Sequence, residues 1–186
     1  MNKYIVARPL IANGFIYCLF VILALTYTGY SHAQSSIYLV RHAEKVIKAG
    51  LENPPLTAIG KFRAENIAKQ LAEIGITHIY STDYLRTMQT AQPLAAYLGL
   101  EIKTYDPRKL REFAEQLKQL QGATLVVGHS NTTPELTALI SGKTVKAISE
   151  NEYDNLYQVI ITKQGTTLNQ FKSIPSYVNI NKNNEN

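Results

Sequence analysis

Two histidines and two arginines stand where short apolar runs end. Arg41-His42 follows Ile37-Tyr38-Leu39-Val40, and His129 follows Thr124-Leu125-Val126-Val127-Gly128. Arg86 comes just after Ser81-Thr82-Asp83, behind the run Ile76-Thr77-His78-Ile79-Tyr80. A neutral imidazole can act as nucleophile or base, and a guanidinium is a permanent cation whose forked donors suit phosphate or carboxylate. Two of each, brought together, would bind a dianionic phosphoryl group and place one imidazole nitrogen for in-line attack on phosphorus. Each feature also has a plainer explanation. Arg41 could pair with Glu44 and leave His42 at the surface, and Arg86 could pair with Asp83, because helix positions three apart meet. The choice depends on the elements that carry these residues.

Those elements read as an α/β protein. The β-branched runs at 37–40, 76–80 and 124–127, with a shorter one over 101–105, have the pattern of buried strands. Helical spacing follows each of them. Thr57 caps a helix bearing Ile59, Phe62, Ile67, Leu71 and Ile74, with Gly75 as its stop. Ser81-Thr82-Asp83 caps a second, broken or kinked near Pro93. Asp106-Pro107 opens a third that ends at Gly122, and Thr132 or Thr133 caps a fourth with Pro134 at its first position. Residues 153–161 and 166–171 form a hairpin around Gln164-Gly165. The expected fold is a three-layer α/β/α sandwich with a mostly parallel central sheet, whose strand ends gather the four residues on one side. Adjacent strand residues face opposite ways, so Arg41 and His42 share a ligand only if the chain turns after them, which the small Ala43 permits. The loop Lys45 to Pro55 leads away from this pair and is placed to line a pocket, where Asn53 serves either a ligand or a turn. His78 alternates with apolar neighbours and reads as structural.

The chain has 186 residues, 45% of them hydrophobic and 18% charged. Residues 1–33 carry Lys3 and Arg8, then an uncharged apolar run ending Ser31-His32-Ala33, the pattern of a secretory signal cleaved after Ala33. The alternative is an uncleaved anchor over residues 9–33, long enough to span a bilayer. The expected organisation is therefore a signal over 1–33, one domain over 34–178 and a disordered polar tail over 179–186. The expected location is periplasmic or secreted. Cys18, the only cysteine, lies in the leader, so the exported body has no disulfide, thiol nucleophile or cysteine-ligated zinc. Losing Lys3 and Arg8 with the leader lowers the net charge from +5 to +3, too mild for a nucleic-acid partner.

Four stretches, taken in order, resemble the histidine phosphatase superfamily, the group that includes phosphoglycerate mutases and phosphohistidine phosphatases. They are Leu39-Val40-Arg41-His42-Ala43-Glu44, Pro55-Leu56-Thr57-Ala58-Ile59-Gly60, Tyr80-Ser81-Thr82-Asp83-Tyr84-Leu85-Arg86-Thr87-Met88-Gln89-Thr90-Ala91, and Val126-Val127-Gly128-His129-Ser130. The resemblance implies that His42 is a nucleophile that becomes a phosphohistidine. It implies that Arg41, Arg86 and His129 hold the phosphoryl oxygens, and that no metal or other cofactor takes part. Ala43 replaces the glycine usual after the Arg-His pair. The general acid is not identified: Asp83, Glu112 and Glu135 are candidates, and each also fits a helix cap, a surface charge or a first-turn carboxylate.

The expected activity is an exported phosphatase acting on a small phosphorylated substrate or a phosphoglycan. A weak or absent acid would bias it toward activated phosphates, because an alkoxide leaves poorly without a proton. The small size argues against the enclosed site that a mutase needs. The alternative is a phosphate- or phosphoglycan-binding protein on the same scaffold. A membrane is a partner only if residues 9–33 remain.

Overall fold

A computed structural model describes residues 35–173. The expected signal over 1–33 and the polar tail over 179–186 lie outside these residues. The strands are β1 (Ser35–Arg41), β2 (Ile76–Ser81), β3 (Ile102–Thr104), β4 (Gly122–Gly128), β5 (Asn155–Thr162) and β6 (Gly165–Lys172). The helices are α1 (Ala58–Leu71), α2 (Leu85–Leu98), α3 (Leu110–Gln119) and α4 (Thr132–Ser141), with a 3-10 turn at Ala72–Ile74 after α1. One six-stranded sheet has the order β3-β2-β4-β1-β5-β6. Its first four strands are parallel, and β5 and β6 join antiparallel at one edge.

Alternation along the central strands divides the core into two layers. Ile37, Leu39 and Val126 pack with Phe113 and Leu117 of α3 and Leu136 and Ile140 of α4. Tyr38, Val40, Leu125 and Val127 face the opposite way, onto Ile67 and Leu71 of α1 and Leu94 of α2. This is the three-layer α/β/α sandwich with a mostly parallel central sheet. It brings the carboxyl ends of β1, β2 and β4 together, since Arg41 pairs with Gly128 and Ser81 with Val127.

Several boundaries differ from the pattern in the sequence. The Thr57 cap forms, accepting from the Gly60 N–H at 3.0 Å, and Gly75 follows the 3-10 turn in a left-handed conformation. Pro93, however, lies inside an unbroken α2. It removes one N–H from the ladder, but Ala91, Leu94 and Ala95 around it are buried against the sheet. Ser81-Thr82-Asp83 does not cap α2. Tyr84 is the N-cap residue without a side-chain bond, and Asn53 Oδ1 accepts the Leu85 N–H at 3.0 Å. Asp106-Pro107 begins a turn and α3 starts at Leu110, because the Asp106 carboxylate takes the Arg108 N–H locally. Gly122 opens β4; α3 has already ended at Gln119.

Candidate active site

His42 is the first residue beyond β1, and its N–H is held by the Gly128 carbonyl at 2.9 Å. The chain then turns, with the Ala43 N–H bound to Thr90 Oγ1 at 3.0 Å. This turn puts His42 Nδ1 2.8 Å from the Ala43 carbonyl. A carbonyl can only accept, so Nδ1 carries the proton and Nε2 keeps its lone pair. Burial, opposed by that carbonyl and reinforced by Arg41, His129 and Arg86, lowers the pKa of His42 to about 3. The imidazole is therefore neutral around pH 7.

His129 follows β4 on the neighbouring strand, its ring centroid 5.6 Å from that of His42. Thr132 Oγ1 accepts the His129 N–H at 2.9 Å, and Thr133 Oγ1 donates to the Val40 carbonyl at 3.3 Å. The two threonines read as helix caps thus brace the His129 turn against β1, and α4 takes Asn131 as its N-cap residue. A hydroxyl chain sets the ring's proton. Thr87 Oγ1 donates to the Thr82 carbonyl and accepts from Thr82 Oγ1, so Thr82 Oγ1 accepts from His129 Nε2 at 3.0 Å. His129 Nδ1 is left facing Arg86 Nη2 at 3.5 Å. Burial first, then Arg86, Arg41 and Lys45, lowers its pKa to about 4.

The two arginines differ. Arg86, in the first turn of α2, stacks 4.5 Å from the Tyr84 ring centroid and forms no ion pair with Asp83 among the described residues. Arg41 is 1% exposed and does not pair with Glu44, which is taken by Arg63 at 2.7 Å. Its Nη1 donates at 2.9 Å to the carbonyls of Ser149, Glu150 and Glu152, its Nη2 meets Glu150 Oε2 at 3.0 Å, and it stacks on Tyr153. The Nε atoms of both arginines are buried and have no acceptor among the described residues.

A cavity of about 360 Å³ is lined by His42, His129, Arg86, Lys45, Tyr84, Arg108 and Glu150, among others. Of the three candidate acids, none lines it. Asp83 borders an adjoining cavity of about 510 Å³ that shares Tyr84, Pro107 and Arg108 with the first. Glu112 is exposed beside Lys109, and Glu135 is exposed in the first turn of α4. Glu150, which sequence reasoning missed, is the carboxylate on the histidine-bearing cavity. The Ser130 hydrogen bond, opposed by burial and reinforced by Arg41, holds its pKa below the ordinary value. Its segment, between α4 and β5, has no periodicity or motif; only the tertiary contact with Arg41 identifies it. His78 lies on β2 and meets the neighbouring Thr77 hydroxyl at 3.0 Å. No group of three or more His, Cys, Asp or Glu that could hold a metal occurs among the described residues.

The family model described as histidine phosphatase superfamily, branch 1, matches residues 37–116. A probable phosphoglycerate mutase of Yersinia enterocolitica is 44% identical over 81 residues, 41% of this chain and 37% of that protein. The chain thus spans little more than a third of the length of this curated relative. Among solved structures, the protein histidine phosphatase SixA complexed with tungstate superposes with a TM-score of 0.64 at 19% identity, covering 74% of this chain and 97% of that one. A putative alpha-ribazole-5'-P phosphatase from Escherichia coli gives 0.62 at 16% identity, covering 75% and 96%.

Proposed function

We propose, from the match of residues 37–116 to the histidine phosphatase superfamily, that the chain is an exported phosphatase of that superfamily, hydrolysing phosphomonoesters or activated phosphates through a phosphohistidine on His42. The observation that carries this reading is the His42 imidazole, neutral, with its Nδ1 proton fixed on the Ala43 carbonyl and its Nε2 lone pair free on a cavity rimmed by cations. In the first step Nε2 forms a bond to phosphorus as the bond from phosphorus to the leaving group breaks. In the second, water attacks phosphorus, the phosphorus–nitrogen bond breaks, and orthophosphate departs. Arg41, Arg86 and His129 hold the phosphoryl oxygens, where fixed donors contribute most to catalysis. A bound dianion reverses the effect of burial on His129 and favours a proton on its Nδ1. These groups supply the charge the reaction needs, so the proposal includes no metal.

The carboxylate on the cavity, Glu150, is ionised beside Arg41 and Ser130 and holds no proton ready for a leaving alkoxide. This supports a preference for leaving groups that need little protonation, such as phosphoramidates and aryl phosphates. The substrate is a small phosphorylated molecule or a phosphoglycan met outside the cytoplasm. Export rests on the leader over 1–33, and the intact mass of the exported protein tests it: a mass starting at Met1 rejects cleavage after Ala33.

The activity is tested by phosphate release from p-nitrophenyl phosphate and from phosphohistidine. The unmodified protein is expected to release phosphate from both, faster from phosphohistidine. His42→Ala is expected to lose about a thousandfold or more. Protein that binds phosphate and releases none would replace the enzyme with a phosphate-binding protein on the same scaffold.

A further inference from the structure

Glu150 holds a guanidinium N–H of the kind an incoming phosphoryl group would accept from. Its Oε2 lies 3.0 Å from Arg41 Nη2, its Oε1 accepts from Ser130 Oγ at 2.6 Å, and it lines the same cavity as His42, Arg86 and His129. Arg41 does not itself line that cavity; it has committed Nη1 to three carbonyls and Nη2 to Glu150, so Nη2 is the donor an anion would take from the carboxylate. The two partners are unequally anchored: the Arg41 side chain is 1% exposed and that of Glu150 is 74% exposed. The cation is fixed and desolvated, whereas the carboxylate sits on a side chain mostly in water and can leave without unfolding anything. Carboxylate and phosphoryl oxygens offer a guanidinium the same forked partner.

We propose that Glu150 is an intramolecular competitor for phosphate: it neutralises Arg41 in the free protein, yields to the phosphoryl group of the substrate, and returns to displace orthophosphate after hydrolysis. The proposal rests on the phosphatase reading above. No covalent bond changes in this exchange. Displacing the carboxylate weakens substrate and product binding alike, so it raises KM and shortens the time phosphate remains bound. The opposing account makes Glu150 only a clamp for residues 149–152, in which case its removal disorders Arg41 and weakens anion binding.

Calorimetric titration of inorganic phosphate into the purified protein and its Glu150→Gln, Glu150→Ala and Ser130→Ala variants separates the two. The Glu150 variants are expected to bind phosphate about tenfold more tightly. Ser130→Ala, which frees Oε1 without touching the Arg41 contacts, is expected to bind it about threefold more tightly. Phosphate inhibition of p-nitrophenyl phosphate hydrolysis should tighten in parallel. Unchanged or weaker binding in both Ser130→Ala and the Glu150 variants overturns the proposal, and Ser130→Ala decides alone if the others fail to fold. Unmodified protein that binds phosphate without hydrolysing any ester sinks the phosphatase reading and leaves the affinity comparison valid. If unmodified protein and variants all bind no phosphate, both readings fall.

Discussion

Two imidazoles kept neutral by burial and nearby cations dominate the residue scale. Their pKa values, about 3 for His42 and about 4 for His129, lie below the ordinary 6.5. As pH falls below 6.5 the unfolded chain takes up protons that the folded protein refuses, so stability declines with falling pH across this window. Above 6.5 neither state binds these protons and the two histidines add no pH dependence. The slope is about 1.4 kcal/mol per pH unit for each histidine once the unfolded form is protonated. Urea midpoints at pH 7, 6 and 5 should fall in sequence and should fall less in His42→Gln and His129→Gln. Proton NMR should show no titration midpoint for either ring between pH 8 and 5; a midpoint near 6.5 would mean that the rings are solvated.

Short hydroxyl and amide side chains hold the elements to the site. Thr82, Thr87, Thr132 and Thr133 fix the His129 turn, and Gly128 is the residue they close around: a Cβ there would stand 2.9 Å from Thr132 Oγ1, Thr133 Oγ1 and the Tyr105 hydroxyl. Gly128→Ala should therefore destabilise the fold by about 1–3 kcal/mol and lower kcat more than that loss explains, measured by urea unfolding and steady-state kinetics. This bracing also marks the limit of what the sequence discloses. Arg41-His42, Arg86 and Gly128-His129 were legible because each follows a strand whose periodicity is local. The caps are harder to read because Thr133 and Asn53 bond to groups distant in sequence while Thr132 turns back to the His129 N–H, and a threonine at a helix start looks the same whether it caps that helix or braces the turn ahead of it. Glu150, Tyr153, Lys45 and Arg108 reach the site from loops, where no period announces which way a side chain faces.

At the scale of the whole molecule, the site stands where β1, β2 and β4 end in step, and the antiparallel β5–β6 hairpin extends the sheet beyond β1. The segment before that hairpin carries Ser149 to Glu152 onto Arg41, so the far edge of the sheet contributes to the centre. The β1–β4 register gives this arrangement a timetable. Arg41 meets Gly128 only after the chain between them has closed, and closing long loops precedes any reward from the contacts they allow. Helices α1 to α4, built from local bonds, can form earlier. After dilution from denaturant, helical circular dichroism should recover ahead of the proposed phosphate release; release that returns with the first helical signal would contradict this order. Until β1 and β4 are zipped together, His42 and His129 have no fixed separation. The candidate site is thus expected to be among the last features of the molecule to form.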